Sequence, residues 1–296
     1  MERFLENLMI GVSIGSIYSL VGMGIVIIYK ATRVFNFATG AAVALGSFIF
    51  LAFTGISFLT VGLAMVFSLM VGFFIGLLSE RLFLRPMIGQ PLLASIMMTL
   101  ALASILDGVV FLAGKGKFKA FQPIFEPEFL DLGGITLPTI YAVTFLAMIF
   151  IFILLGLFFK FTKIGLGMRA AAENHKVSQS KGISVTGAFS ISWGICMLIC
   201  SLSGILLGAI TGAASHLLSA IALKSFAVVL CGGLESFLGC MIMGPVMGLV
   251  EIFTMAYLVL VIPWTGLEKA TPYILMLLII VFKREGLFGL KTIERI

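Results

Sequence analysis

The sequence predicts an all-α fold: a polytopic membrane helix bundle of about eight transmembrane helices plus a re-entrant half-helix. Three observations predict it. Hydrophobic residues make up 61% of 296 and charged residues only 11%, whereas a soluble domain carries roughly 25% charged residues. Mean hydropathy is +1.22, so lipid must solvate most of the surface. Apolar runs close to the ~20 residues that cross the hydrocarbon recur along the whole chain. No segment is polar enough to form a second domain, and residues 1–296 read as a single transmembrane domain.

The first candidate span, 8–28, follows MERFLEN. It is too long for a signal-peptide core of about 7–15 residues, so no cleavage is expected. Further spans fall at 35–53, 58–80, 91–113, 139–159, 187–211, 237–258 and 272–284, the last short enough that a start a few residues earlier is expected. Residues 220–231 are too few to cross and read as a half-helix ended by Gly232 and Gly233. Non-helical backbone at membrane depth is tolerated where protein or a water-filled cavity covers it, so this break points to the inside of the protein. The alternative is a tight turn near one surface.

Small residues recur at four-residue spacing: Gly11 with Gly15, Gly72 with Gly76, Gly204 with Gly208 and Gly212, and Gly244 with Gly248. This spacing lets helix backbones approach closely, as a compact membrane bundle requires. Between the spans, the loop 114–138 holds Pro123, Pro127, Pro138 and Gly133-Gly134, with Glu126, Glu128 and Asp131 making it acidic. It reads as a turn-rich external loop that can form a hairpin.

The net charge of +6 reflects topology rather than nucleic-acid binding, because the basic residues sit in short loops between apolar segments. One set of connections and the tail hold Lys30, Arg33, Arg81, Arg85, Lys160, Lys163, Arg169, Lys176, Lys181, Lys283, Arg284, Lys291 and Arg295. The opposite set holds Arg3, Lys115, Lys117, Lys119 and Lys269, and Lys224 lies on the half-helix. The positive-inside rule then puts the loop 160–186 and the C-terminus in the cytoplasm and the N-terminus outside.

Enzymatic chemistry finds no support. His175 and His216 have no neighbours in sequence that would complete a metal site or a nucleophile–base pair. Cys196, Cys200, Cys231 and Cys240 show no metal or disulfide spacing and read as buried free thiols. The Gly114–Lys117 stretch GKGK lacks the earlier glycine and the following hydroxyl of a phosphate-binding loop, so any ATP is hydrolysed by another subunit. Acidic residues within membrane spans are functional candidates, and Asp107, Glu235 and Glu251 qualify. For Glu235, capping of the following helix start competes with a role in the path.

The loop Thr162–Ile183 reads TKIGLGMRAAAENHKVSQSKGI. Residues 168–179 have helix-forming composition and Gly182 is a plausible stop. A short glycine-bounded helix parallel to the membrane could sit in a groove of a soluble partner.

The residues now carry a family resemblance over nearly the whole length. GVSIGSIYSL (Gly11–Leu20) with NFATG (Asn36–Gly40), the pairs Glu80-Arg81 and Arg85-Pro86, the loop positions Thr162, Gly165, Arg169, Ala170, Asn174, Gly182 and Ile183, and CGGLESFLG (Cys231–Gly239) followed by Gly244, Gly248 and Glu251 form four blocks. Together they resemble bacterial branched-chain amino-acid ABC transporter permeases of the LivH type. The chain departs from that pattern at Ala41, Glu235 and Leu238, where the family commonly has an acidic or polar residue, glycine and proline.

The resemblance implies a permease subunit that holds no cofactor, sits multi-pass in the bacterial inner membrane and moves branched-chain or other hydrophobic amino acids. It implies nucleotide-binding ATPase subunits, a second permease subunit (identical or homologous) and an extracytoplasmic solute-binding protein as partners. Coupling to the ATPase would fall to Gly165, Arg169, Ala170, Glu173, Asn174, Lys176, Gly182 and Ile183. The substrate path would involve Tyr18, Asn36, Thr39, Gly40, Gly232, Gly233, Glu235 and Ser236. Urea, short-amide, nucleoside and sugar permeases share the superfamily and remain alternatives for the solute. An ion-coupled secondary transporter using Asp107, Glu235 or Glu251 is the alternative of another class.

Overall fold

A computed structural model describes residues 2–56, 59–121, 124, 129–131, 136–173, 184–258 and 266–289. Among the described residues there are ten α-helices: α1 (Glu2–Thr32), α2 (Thr39–Thr54), α3 (Val61–Ser79), α4 (Leu92–Gly114), α5 (Thr139–Phe161), α6 (Lys163–Glu173), α7 (Val185–Thr211), α8 (Ile221–Gly232), α9 (Phe237–Phe253) and α10 (Leu267–Phe282). A π-turn and a 3-10 turn carry α3 on to Met87, a 3-10 turn (His216–Ala220) leads into α8, and a π-turn (Thr254–Leu258) prolongs α9. Six described helices are long and apolar enough to cross a bilayer: Arg3–Thr32, Val61–Met87, Leu92–Gly114, Thr139–Phe161, Thr186–Thr211 and Phe237–Leu258. Thr39–Thr54 and His216–Gly232 are shorter apolar helices.

Helix α1 is hydrophobic all round, which is the pattern of a helix enclosed by others rather than facing lipid. Ile17, Leu20, Val21, Met23 and Ile25 to Ile28 are fully buried, and α5, α7, α8 and α9 pack around it. By contrast α3, α4 and α5 turn large apolar side chains outward, including Phe74, Leu78, Leu112, Leu146 and Phe150. An exposed apolar belt of that extent is a lipid-facing surface.

The glycines decide which helices touch. A Cβ at Gly15 would lie 2.3 Å from the Gly244 carbonyl oxygen, and one at Gly248 would lie 2.2 Å from that of Gly11, so the two glycine pairs of α1 and α9 face each other. Gly72 and Gly76 of α3 abut Ser201 and Trp193 of α7, while Gly204 of α7 abuts Val43 of α2. Interhelical hydrogen bonds hold α1 to its neighbours: Ser19 Oγ donates to Cys240 O of α9 at 2.8 Å and Ser13 Oγ to Tyr141 O of α5 at 3.0 Å. Fully buried Glu80, where α3 turns into its π segment, accepts from Ser190 Oγ of α7 at 2.5 Å and pairs with Arg85 at 3.3 Å.

Strands are minor. β1 (Lys119–Ala120) pairs antiparallel with β4 (Ala213–Ala214), and β2 (Phe129–Asp131) with β3 (Thr136–Pro138). The second pair is the expected hairpin, with Phe129 opposite Pro138 and Asp131 opposite Thr136.

The last span begins at Leu267, a few residues before 272 as expected. Two local expectations change. The loop helix α6 begins at Lys163 rather than 168. The Gly232-Gly233 break lies at the end of the bundle, beside the ends of α1 and α5: Lys30 near the end of α1 sits over the rings of Phe159 and Phe237, at 5.7 and 5.3 Å from their centroids. The turn-near-a-surface alternative therefore describes it. After α10 the chain returns to this turn, where Leu287 N donates to Cys231 O at 2.7 Å and Phe288 N to Gly232 O at 3.1 Å.

Candidate functional site

The residues expected to line a path fall in three places. The first is a polar cluster in the middle of the bundle. Tyr18 sits near the midpoint of α1 and is 3% exposed. Its hydroxyl donates to Glu251 Oε2 of α9 at 2.7 Å and accepts from Lys224 Nζ of α8 at 3.1 Å. Lys224 also pairs with Glu251 Oε1, and its ammonium lies 5.3 Å from the centroid of the Tyr18 ring. Three helices thus bring a phenol, an ammonium and a carboxylate together inside apolar segments. Position in the sequence marks Glu251 as a candidate, but not its partner Lys224. The available signal was its isolation on an apolar helix, since an intramembrane charge needs an opposite one nearby.

The second place is the junction between α1 and α2. Arg33 takes a left-handed φ of +59° and ends α1, and the chain then runs non-helically to Thr39. Asn36 is fully buried there, with its Oδ1 accepting from Ala38 N at 3.0 Å. Thr39 Oγ1 donates to Asn36 O at 3.3 Å, and Thr99 Oγ1 of α4 donates to Phe35 O at 3.1 Å. Gly40 permits close contact with the turn before α8: a Cβ would lie 2.1 Å from Ser219 O. Among the described residues Asn36 Nδ2 makes no hydrogen bond. This is irregular backbone inside the bundle, held by side chains in the way an apolar surrounding demands.

The third place is the turn between α8 and α9. Gly233 adopts φ +105°, which a side chain would strain. Ser236 caps α9, its Oγ accepting from Gly239 N at 2.9 Å. The cap is therefore Ser236 and not Glu235. Glu235 instead pairs with Arg33, and its carbonyl accepts from Lys30 Nζ at 3.3 Å. This turn thereby ties the ends of α1 and α9 together.

The loop helix α6 occupies the same end. Gly165 is buried where a Cβ would lie 2.5 Å from Phe158 O, and its N–H donates to Thr162 Oγ1 at 2.9 Å. Met168 is fully buried, and α6 packs against α1, α5 and α7. Arg169 is exposed, and Ala170 and Glu173 lie on the same helix. Asn174, Lys176, Gly182 and Ile183 lie outside the described residues.

A profile of the family described as branched-chain amino acid transport system / permease component matches residues 7–282. The chain belongs to this permease family. Its members are permease components of a transport system, and this chain is accordingly a multi-pass membrane transport protein rather than an enzyme. Among similar proteins, the high-affinity branched-chain amino acid transport system permease protein LivH of Escherichia coli K12 is 24% identical over 306 residues, covering 99% of this chain and 98% of that protein. The corresponding permease protein BraD of Pseudomonas aeruginosa is 24% identical over 309 residues with the same coverage. The probable branched-chain amino acid transport permease protein LivH of Methanocaldococcus jannaschii is 28% identical over 260 residues, covering 81% and 77%. No solved structure matches the chain significantly.

Proposed function

We propose that this permease is the membrane subunit of an ATP-binding-cassette importer that moves branched-chain or other hydrophobic amino acids across a bacterial cytoplasmic membrane. The observation that carries the reading is the end-to-end similarity to LivH and BraD, both named for that transport. The partners are nucleotide-binding ATPase subunits, a second permease subunit and an extracytoplasmic solute-binding protein. The basic end, with α6, faces the cytoplasm, and the N-terminus lies outside.

In this reading an ATPase partner grips α6 and the residues after it: Gly165, Arg169, Ala170, Glu173, Asn174, Lys176, Gly182 and Ile183. Movement of α6 passes straight to α1, α5 and α7, which it touches. The solute passes Tyr18 and the junction Asn36–Thr39–Gly40 and leaves by the turn Gly232–Gly233–Glu235–Ser236. The protein forms no covalent bond with the solute; it alternates between two openings that ligand and nucleotide bias. Mild-detergent purification of the tagged chain from its native membrane tests this. ATPase subunits are expected to come with it, and their reproducible absence counts against the reading.

A further inference from the structure

We infer that Lys224, Glu251 and Tyr18 form a recognition point for a zwitterionic solute, an inference that rests on the amino-acid reading above. The ion pair is neither sealed in the core nor free in solvent. Its side chains keep 23% and 14% of their exposure, while the Tyr18 hydroxyl behind them is bonded to both. Leu223, next to Lys224 on α8, and Leu217, in the turn before α8, are 60% and 59% exposed. Charged heads do not face hydrocarbon without large cost, so the face of α8 on which the pair is exposed borders water rather than lipid.

The chemistry selects the ligand class. A solute with one carboxylate and one ammonium can exchange a single internal ion pair for two, its carboxylate meeting Lys224 and its ammonium meeting Glu251. Net charge in the bundle stays unchanged, so the low-dielectric surroundings favour the exchange over entry of an ion of one sign. The Tyr18 hydroxyl donates to Glu251 and accepts from Lys224 in the empty state, and holds both groups at a fixed spacing. Leu223, next to Lys224 on α8 and exposed, offers the aliphatic side chain an apolar contact. An uncharged sugar or amide would leave the pair closed and gain nothing from it.

The test uses the complete transporter in proteoliposomes with L-leucine. Lys224→Gln and Glu251→Gln are expected to lower uptake about tenfold or more, as loss of a charge-assisted bond requires. The exchange Lys224→Glu with Glu251→Lys keeps a structural ion pair but reverses the polarity seen by the solute, and uptake is expected to stay as low as in the single variants. Recovery to wild-type uptake in the exchanged protein overturns the proposal and leaves a structural pair. A second arm survives any folding failure: Leu223→Cys is expected to react with a membrane-impermeant thiol reagent and to be protected by L-leucine. Reaction only with a permeant reagent overturns the aqueous face. If wild-type protein takes up no branched-chain amino acid while Leu223→Cys still labels from water without leucine protection, the amino-acid reading and the recognition point fail while the aqueous face stands; uptake with an unreactive Cys removes the recognition point alone.

Discussion

Gly15 of α1 and Gly244 of α9 meet backbone to backbone, each occupying the space that a Cβ on the other would need. A Cβ at Gly244 would lie 2.5 Å from Gly15 O and 1.9 Å from Ser19 Oγ. The α1–α9 seam brings Tyr18 and Glu251 into hydrogen-bond range, so its closeness is a condition of the central polar cluster.

Gly244→Leu is therefore expected to force these helices apart and destabilise the bundle by at least the ~1–3 kcal/mol typical of overpacking. Gly108→Leu and Gly156→Leu, where nothing stands within 4 Å, are expected to be neutral. Thermal aggregation of the detergent-solubilised variants compares them directly. Equal midpoints for Gly244→Leu and Gly156→Leu would remove the packing argument.

The helical architecture was legible because hydropathy alone marks apolar helices. The four-residue glycine spacing was legible too, but spacing does not say that Gly11 and Gly15 face Gly248 and Gly244 rather than another small-residue stripe. The depth of chain breaks was not legible. Gly232-Gly233 announces a break by its residue type yet sits at the bundle end. Residues 34–38 break the helix inside the bundle, hidden by Val34, Phe35 and Phe37, because Asn36 and Thr99 satisfy backbone groups that water would otherwise take. The central cluster escaped detection for a similar reason. Lys224 and Glu251 belong to different helices joined by the turn at Gly232–Ser236, and only their folding side by side makes them a pair.

The pair Arg33–Glu235 closes the turn at the proposed exit. It is partly exposed, with side-chain exposures of 42% and 25%, so Glu235→Gln is expected to cost only ~0–1 kcal/mol of stability. Its effect is expected on transport rate, with the ranking of amino acids unchanged, and Arg33→Glu combined with Glu235→Arg is expected to restore the rate. Uptake measured with several amino acids at matched expression decides this. An altered ranking in Glu235→Gln would instead make the carboxylate a contact for the solute.

Arg169 projects from α6 on the end assigned to the cytoplasm, while Met168 beside it anchors the helix. Reversing the charge in Arg169→Glu is expected to leave the chain inserted but weaken coupling to an ATPase partner about tenfold or more. Solute-stimulated ATP hydrolysis and uptake, measured together in proteoliposomes, provide the check. Unchanged values for both would detach α6 from the partner.

The proposed orientation rests on the same distribution of charge. Positions 117 and 284 are exposed; the first lies by the strand pair beyond α7 and the second by the turn after α8, and the four native cysteines are buried. Lys117→Cys is expected to react with an impermeant thiol reagent added outside intact cells, and Arg284→Cys only after the membrane is opened. The reverse pattern would invert the topology.

The most direct measurement is L-leucine uptake into proteoliposomes holding this chain with its co-purified ATPase and permease partners and the solute-binding protein. The account predicts uptake that requires ATP inside the ATPase compartment and persists when proton and sodium gradients are collapsed. Uptake by the chain alone, driven by an imposed ion gradient and indifferent to ATP, would contradict it.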